Sequence, residues 1–471
     1  MQRLSHIIIF ILFIYGPAGA QQSEKVKLLC NWNDTTGLSN HNGQYFNDVW
    51  GFSVKGHEYA AIGSTEGVHI IDVGNCKQVA FRKGSSAGEH VIHRDYKTYK
   101  NYLYAVCDEG NDSRLQILDI SYLPDSLPQV YESTPFECIR SHNVFIDTAK
   151  AKMYLCFNAH WEDFGQGIIT IRRPMSVFSL NDPAKPQFLT HFDYSDYIHD
   201  VYVRNDTAYA SASDDGYVIV DFSKGTSYDI VGILPDYDFS GYNHSSWINS
   251  KGIGVMADET HASPMKVIDT RETTDIKILS YFAPRPGDST CIPHNPYILN
   301  DDYVLISYYF DGLQIYNISS PDSPYRTGFY DTYPGASFKG YAGAWGCYPY
   351  LPSHRILLSD MQTGLYIFDA DSALDLKAKN VIIDIATPFS IYPNPAKDKI
   401  WVKLPTEQGP LDVAICDISG RIILKQSIYL SAMPNQGIEL TLPRNCPVGM
   451  YTLRVVTGSN TYTGKFVKAD N

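Results

Sequence analysis

The sequence contains seven copies of one pattern, and this repeat restricts the possible folds more than any other feature. Aligned copies begin at the residues Asn47, Arg94, His142, His199, His244, His294 and Trp345. Subtracting successive positions gives spacings of 47, 48, 57, 45, 50 and 51 residues. Repeats of this length indicate one supersecondary unit per copy, whose apolar faces are buried only when neighbouring units pack together.

Each copy has the pattern of four short β-strands. Its third strand is an apolar run that ends in Asp or Asn, as in "VHIIDV", "YVIVDF", "LQIYNI" and "LYIFDA". A fourth strand follows, as in "DIVGIL" at 229–234 and "YRTGFYD" at 325–331. Short alternating strands separated by Gly and Asp turns are typical of hairpins, and four per repeat predict an all-β, seven-bladed β-propeller.

The ends of the repeat region predict how the ring of blades closes. A strand of the fourth type, "KVKLLCNW" at 25–32, precedes the first copy, while the last copy stops after its third strand near Ala370. We therefore expect the N-terminal strand to complete blade seven, which would leave no long unpaired edge. The propeller is predicted to span residues 21–370.

The first 20 residues predict a secretory signal peptide rather than part of the fold. They contain one early positive charge at Arg3, an apolar run from Ile7 to Tyr15 and a small-residue exit at Ala18-Gly19-Ala20. This order is that of a signal peptide, here with cleavage before Gln21. The apolar run is too short for a stable membrane-spanning helix, and no later stretch approaches 18 apolar residues. We expect a secreted chain without a transmembrane helix.

Charge and cysteine content narrow the function and the compartment. The formal net charge of −13, without a long basic run, argues against a nucleic-acid partner, which would require clustered Lys and Arg. The nine cysteines are scattered, with no C-x-x-C pair that would indicate a zinc site. An oxidising compartment allows one or two disulfides, and an odd number leaves at least one thiol without an intramolecular partner.

The repeat region resembles a known family. The apolar third strands, the "HNV" and "HDV" openings and "GAWGCYPYLPSHRILLSDMQTGLYIF" resemble the LVIVD-repeat propellers called choice-of-anchor B proteins, over residues 25 to 370. Two places depart from that pattern: "HSSW" stands in the fifth copy where a "HQGW"-like run is usual, and "NAHWEDFGQG" is inserted in blade three. The resemblance implies variable attachment to the cell and no established reaction.

A second resemblance lies at the C-terminus. After a polar linker at 371–387, residues 388–471 show alternating strands between Pro, Asn and Gly turns, which predicts a small Ig-like β-sandwich. The pieces "YPNPA", "DISGR", "GMYTLRV" and "GKFVK" resemble the type IX secretion (Por secretion) sorting domain of Bacteroidetes. That resemblance implies the type IX secretion machinery as a partner, delivery to the cell surface or the medium, and removal of this domain.

The seven repeat markers are the candidate site. Symmetry predicts that they lie at one level around the propeller axis as a ligand-binding rim: Asn47, Arg94, His142, His199, His244, His294 and Trp345. The four histidines of consecutive copies, His142, His199, His244 and His294, are candidate ligands for zinc, iron or copper. Some unrelated seven-bladed enzymes hold iron with four axial histidines, so the same set is a candidate metal centre by analogy.

Three interpretations of the histidines remain open. A His at the start of an inner strand can hydrogen-bond the backbone of a neighbouring blade, which makes it a structural cap. Four of seven positions would form an arc without encircling a metal, and no matching series of carboxylates accompanies them. The acidic turns "CDEGND" (107–112), "SDDG" (213–216) and "LPDYDFS" (234–240) could bind calcium, although none has the spacing of a known calcium loop.

These patterns predict a secreted binding or interaction module, with a surface glycan or a protein as its ligand, rather than an enzyme. The alternative, from another class, is a metal-dependent oxygenase or hydrolase that uses the histidines. No cofactor is assured by the sequence, and calcium or a transition metal is the candidate.

Overall fold

The computed structural model describes residues 22–333, 335–375, 389–404, 409–417, 422–430, 437–443, 446–457 and 461–469. The predicted signal peptide at 1–20 and most of the predicted linker at 371–387 lie outside these residues. The chain divides into two compact units, the first ending at 377 and the second beginning at 378. No helix in the described part has the length and apolarity that crossing a bilayer requires.

The first unit consists of antiparallel sheets that follow the sequence repeat. Two strands precede the first repeat: β1 (Ser23–Glu24) and β2 (Lys27–Trp32). Blade 1 contains β3 (Phe46–Val54), β4 (His57–Ser64), β5 (Gly67–Asp72) and β6 (Lys77–Lys83). Blade 2 contains β7 (Arg94–Tyr99), β8 (Tyr102–Cys107), β9 (Gln116–Asp119) and β10 (Gln129–Glu132).

Blades 3 to 5 repeat the same order of strands. Blade 3 contains β11 (Asn143–Asp147), β12 (Lys152–Asp163), β13 (Ile168–Ser179) and β14 (Gln187–Phe192). Blade 4 contains β15 (Asp200–Arg204), β16 (Thr207–Ser211), β17 (Tyr217–Asp221) and β18 (Asp229–Leu234). Blade 5 contains β19 (Asn243–Ile248), β20 (Ile253–Asp258), β21 (Met265–Asp269) and β22 (Lys277–Phe282).

The last two blades take strands from both ends of the unit. Blade 6 contains β23 (Pro296–Leu299), β24 (Tyr303–Ser307), β25 (Leu313–Asn317) and β26 (Tyr325–Tyr330), with β1 as a fifth strand beside β26. Blade 7 contains β27 (Ala344–Tyr348), β28 (Arg355–Asp360) and β29 (Gly364–Asp369). Two single-turn 3₁₀ helices, Ile120–Tyr122 and Thr273–Asp275, connect third and fourth strands.

The ring closes as the sequence predicted. Strand β2 pairs with β29, with Leu28 opposite Phe368, and so supplies the fourth strand of blade 7. The innermost strands contact one another in order around the ring, and β27 of blade 7 contacts β3 of blade 1. The predicted all-β propeller class is therefore confirmed, and the described residues of this unit arrange its sheets in a closed ring.

Packing between blades explains the repeated apolar third strands. In blade 4, Tyr217–Asp221 is buried along almost its whole length, whereas the outer strand Asp229–Leu234 is largely exposed. One apolar cluster joins Tyr154 of blade 3 to Val201 and Val218 of blade 4. Because each sheet is covered on both faces by its neighbours, its inner strands are apolar on both faces, and their sequences read as continuous runs.

Gly312 shows why the turns between second and third strands require glycine. Its φ is +69°, and a Cβ at this position would collide with the backbone carbonyl oxygen of Tyr330. We expect Gly312→Ala to lower the free energy of unfolding by about 2–4 kcal/mol. The matched control is Gly225→Ala, which has a φ of +82° but nothing within 4 Å and should cost about 1 kcal/mol. Equal losses in urea unfolding curves would refute this explanation.

The second unit contains two sheets with a common apolar core. One sheet contains β30 (Ser390–Tyr392), β31 (Lys399–Lys403) and β34 (Ile438–Thr441). The other contains β32 (Gly409–Asp417), β33 (Ile422–Leu430), β35 (Gly449–Val456) and β36 (Thr461–Lys468). Ile400 and Leu440 of the first sheet belong to the same buried cluster as Val413 and Leu453 of the second.

Candidate functional site

Five histidines and one tryptophan form a closed ring at one end of the propeller channel. Each precedes or begins the innermost strand of a different blade, from blade 2 to blade 7. The distances between ring centroids are 5.2 Å for His93–His142, 4.2 Å for His142–His199, 3.9 Å for His199–His244, 4.4 Å for His244–His294, 5.0 Å for His294–Trp345 and 5.2 Å for Trp345–His93. We call these six residues the histidine ring. The predicted arc is thus a closed circle.

Two of the predicted rim residues, Arg94 and Asn47, do not belong to the histidine ring, although Arg94 still lines the channel. One residue of the ring, His93, was missed. Arg94 points into blade 1, where its guanidinium donates to the carbonyl oxygens of Ser64 at 2.8 Å and Ser86 at 2.6 Å. His93 occupies the place in the ring that was predicted for Arg94. The strand register explains the error, because Arg94 pairs with Cys107 as Asn143 pairs with Cys156, and so His93 corresponds to His142.

Blade 1 contributes no aromatic group to the ring. Asn47 lies in a bulge of β3, is 1% exposed and packs over Gly63. Its neighbour Asp48 lines the channel instead. The bulge inserts one extra residue between the paired positions Phe46 and Val49. The spacing of the sequence repeats therefore cannot locate the side chain of this strand that faces the axis.

Hydrogen bonds fix the orientation of three of the five histidines. Nδ1 of His142 lies 3.0 Å from Oδ2 of Asp108, and Nδ1 of His93 contacts the carboxylate of Glu109. Nδ1 of His294 donates to the backbone carbonyl of Trp345, which is the predicted bond to a neighbouring blade. Because each acceptor takes an N–H from Nδ1, Nε2 of a neutral ring keeps its lone pair.

Burial keeps three of the histidines uncharged. It lowers the pKa of His199 and His244 well below the usual value, with repulsion from neighbouring histidines as a further cause. It also lowers the pKa of His294 to about 3. His93 differs, because burial is outweighed by its bond to Glu109 and its pKa is raised. His199, His244 and His294 therefore present neutral imidazoles to the ring, and the neutral form is the one that binds metals.

Glu259 is a carboxylate of this site that the sequence reasoning missed. It follows strand β20, and its oxygens lie 3.9 Å from Nε2 of His244 and 3.9 Å from Nε2 of His294. The hydroxyl of Tyr309 donates to Oε1 of Glu259. Burial raises the pKa of Glu259 to about 7, although Tyr309 and His93 oppose the shift.

A signal for these carboxylates exists in the sequence. Asp108 and Glu109 follow the second strand of blade 2, and Glu259 follows the second strand of blade 5. In an antiparallel sheet the end of the second strand lies beside the start of the first, where the histidines are. The repeat itself carries no matching series of carboxylates, because these acids come from the ends of neighbouring strands rather than from the repeat marker.

Further along the channel lies a group of charged side chains. Nζ of Lys97 is 2.8 Å from Oδ1 of Asp95, and Oδ2 of Asp95 accepts from the amide of Val144 at 2.8 Å. Burial raises the pKa of Asp48 well above its usual value and that of Asp200 to about 7. Burial lowers the pKa of Lys97, but nearby Asp95, Asp48 and Asp200 outweigh it and raise the pKa overall.

The channel is narrow and bordered by aromatic side chains beyond this charged group. Trp247 packs against Tyr202 at 4.5 Å and Tyr297 at 4.7 Å between ring centroids, and Lys97 lies 4.6 Å from the ring centre of Trp50. The cavity between the histidine ring and these aromatics has a volume of about 50 Å³. This is room for a few water-sized species.

A second histidine cluster lies in blade 3, between the extended hairpin of β12 and β13, which contains the predicted insertion, and strand β14. His160 and His191 stack at 4.8 Å, and Nε2 of His160 is 3.0 Å from Glu162. Arg173 donates to the same carboxylate at 2.6 Å. Within the described residues, only this cluster and the group of His199, His244 and Glu259 place three metal-binding side chains close together. The three acidic turns proposed for calcium belong to neither.

Comparison with known proteins identifies the C-terminal domain and the fold. Residues 390–469 match the family described as "Secretion system C-terminal sorting domain", which confirms the predicted sorting domain. The comparison with curated proteins finds no match. The sorting domain indicates that the protein is delivered to the cell surface or released outside the cell, through the secretion machinery that reads such domains.

Among solved structures, the extracellular domain of a protein described as a hybrid two-component system from B. thetaiotaomicron is 14% identical, with a TM-score of 0.51. The match covers 94% of this chain and 58% of that structure. The WD40 propeller domain of Doa1 is 9% identical, with a TM-score of 0.48, covering 73% of this chain and 96% of that one. The C-terminal WD40 domain of Sif2 is 8% identical, with a TM-score of 0.44, covering 69% and 80%. The first match shows a shared fold alone, and the resemblance to LVIVD-repeat propellers stays a prediction.

Proposed function

We propose that this protein is a secreted binding module that holds a small cation in the histidine ring. The observation that carries the proposal is the ring itself: five imidazoles and one indole from six blades converge on one point of the axis, with three carboxylates at the same end. Neutral imidazole nitrogens and carboxylate oxygens both attract a positive charge. A convergence of such groups from separate blades supports binding rather than capping of single strands.

The size of the channel limits what can bind there. Pockets for organic ligands usually measure about 300–1,000 Å³, whereas this cavity measures about 50 Å³. A sugar ring does not fit, so a glycan or a protein ligand would have to bind outside the channel, on the surrounding loops. The geometry therefore favours an ion as the ligand of the ring.

A metal-dependent oxygenase or hydrolase is the second candidate, and Glu259 favours it. Its carboxyl group has a pKa of about 7 and lies 3.9 Å from the nearest imidazole nitrogens. A carboxylate with such a pKa is suited to accept a proton from a water molecule bound beside it near neutral pH. Turnover by the cation-loaded protein that is lost in Glu259→Gln while the cation stays bound would favour this candidate.

The proposal predicts one cation per chain, bound at the histidine ring. Calorimetric titration of the chelator-treated full-length secreted chain with Ca²⁺, Mg²⁺, Mn²⁺, Zn²⁺ and Ni²⁺ should show one saturable site for at least one of them. The double variant His199→Ala/His244→Ala should weaken that binding at least tenfold, since it removes two adjacent imidazoles. His57→Ala, an exposed histidine of strand β4 outside the ring, is the matched control and should bind normally.

The result that would contradict the proposal is equally definite. If none of these cations binds, or if the double variant binds as tightly as the unaltered protein, the histidine ring is not a cation site. Circular dichroism of the double variant checks that its sheets are intact, so that a loss of binding reports on the site and not on folding.

A further inference from the structure

We infer that the bound cation is a transition-metal ion held by His199, His244 and Glu259, an inference that rests on the proposed function. One nitrogen from each histidine and one oxygen of Glu259 lie within 4.8 Å of one another. Two ligands of a tetrahedral metal ion, each about 2.1 Å from it, are separated by about 3.4 Å. Side-chain movements of about 1 Å would complete the site.

The ligand types select the class of metal. Calcium and magnesium prefer oxygen ligands only, in sets of about six or more. Two neutral imidazoles and one carboxylate instead suit zinc, or iron(II) with open coordination positions.

Neighbouring side chains hold Glu259 in place for this role. The hydroxyl of Tyr309 donates to Oε1, and Nε2 of His294 lies 3.9 Å from the same oxygen. The other oxygen, Oε2, faces Nε2 of His244 at 3.9 Å. A hydrogen bond such as that from Tyr309 orients a metal ligand in many metal sites, and it makes Tyr309 a positioning residue.

An unpaired nitrogen points to the same conclusion. Nδ1 of His199 is buried and has no hydrogen-bond partner. The residue as a whole is 8% exposed. Leaving a buried polar nitrogen unpaired costs about 1–3 kcal/mol. Binding of a metal ion by the imidazole of His199 would offset this cost. A histidine that only capped a strand would instead use this nitrogen for a hydrogen bond.

The second histidine cluster is a weaker candidate and serves as an internal comparison. There the guanidinium of Arg173 lies 2.6 Å from the carboxylate of Glu162, so a positive charge already occupies the place of a metal ion. No such cation contacts Glu259 among the contacts described for it. Glu162→Gln is therefore a matched control for Glu259→Gln.

Cobalt(II) is the probe for the test, because its visible absorption reports on its ligands. The chelator-treated full-length chain should bind one equivalent of Co²⁺ and of Zn²⁺. Glu259→Gln, which keeps the size of the side chain, should weaken Co²⁺ binding at least 100-fold, and His199→Ala/His244→Ala should abolish it. Glu162→Gln should leave affinity and spectrum unchanged. Tyr309→Phe should alter the spectrum and weaken binding about tenfold, as for other residues that orient a ligand.

The outcomes separate this inference from the proposed function. If His199→Ala/His244→Ala abolishes binding but Glu259→Gln leaves the affinity and the cobalt spectrum unchanged, the ring binds a cation without Glu259 and this inference fails alone. It also fails alone if the ring binds Ca²⁺ but neither Co²⁺ nor Zn²⁺. If Co²⁺ binding depends on Glu162 and not on the ring, this inference fails, and both proposals fail if the ring also binds none of the other cations. A melting curve of each metal-free variant shows whether it folds.

Discussion

Lys266→Met should lower the free energy of unfolding of the propeller by about 3–5 kcal/mol, the largest effect that we expect from a single substitution. The Lys266 side chain is fully buried, and its Nζ lies 2.9 Å from Oδ2 of Asp258, which is also fully buried. Removing the ammonium leaves a buried carboxylate without its counter-charge. A methionine fills similar space, so the loss reports on charge rather than on packing.

Asp258 is the centre of a network that the substitution would disturb. Its Oδ2 also accepts from the backbone amide of Gly241 at 2.8 Å. Its Oδ1 accepts from the hydroxyl of Tyr237 at 2.9 Å and from the side-chain Nδ2 of Asn243 at 3.0 Å. These bonds tie the loop before β19 to the end of β20. Asn243 precedes His244 and Asp258 precedes Glu259, so we expect Lys266→Met to weaken cation binding as well.

Urea unfolding of the full-length chain measures the effect. Lys251→Met is the control, because Lys251, which is also in blade 5, forms an exposed ion pair at 3.1 Å with Asp302 of blade 6. Exposed pairs contribute about 0–1 kcal/mol. The double variant Lys266→Met/Asp258→Asn should recover part of the lost stability, since it removes the unpaired charge. A Lys266→Met protein as stable as the Lys251→Met control would refute the role of the buried pair.

Loss of the disulfide between Cys30 and Cys76 should produce the second large effect, about 4 kcal/mol, because it closes a loop of 46 residues. Cys30 lies in strand β2 of blade 7, and Cys76 lies in the turn before the fourth strand of blade 1. The bond therefore holds together the two blades at which the ring closes. For a unit of this size, the melting temperature should fall by about 5 °C.

Melting curves test this expectation. They compare the double variant Cys30→Ser/Cys76→Ser with the unaltered protein, each with and without dithiothreitol. The reductant should lower the melting temperature of the unaltered protein to that of the variant and should have no effect on the variant. If the reductant leaves the unaltered protein unchanged, ring closure does not depend on this bond. The seven other cysteines are unpaired, so the reductant has no other disulfide to act on among the described residues.

The repeat predicted the blades well because it reflects local chemistry. The runs that end in Asp or Asn became third strands such as Tyr217–Asp221 and Leu313–Asn317. The closing strand was also predictable, since "KVKLLCNW" has the pattern of a fourth strand and the seventh repeat lacks one. Strand alternation with a period of two residues is visible in any window of the chain.

The candidate site was predicted less completely. Five predicted residues lie in the ring as expected from symmetry: His142, His199, His244, His294 and Trp345. The place predicted for Arg94 is occupied by His93, because the alignment of that repeat was wrong by one residue. A shift of one residue turns a side chain to the other face of a strand, so a small error in alignment changes the composition of the site. The β-bulge of blade 1 shifts the register in the same way, so that Asn47 does not lie in the ring.

The sequence by itself determined the all-β propeller, its closure by the N-terminal strand and the sorting domain at 390–469, because each depends on patterns within a few tens of residues. Only the tertiary structure decided that the histidines form a circle and that Glu259 belongs with them. Glu259 lies 15 residues after His244 and 35 before His294, yet contacts both, because ring closure and antiparallel pairing bring distant strand ends to one point of the axis.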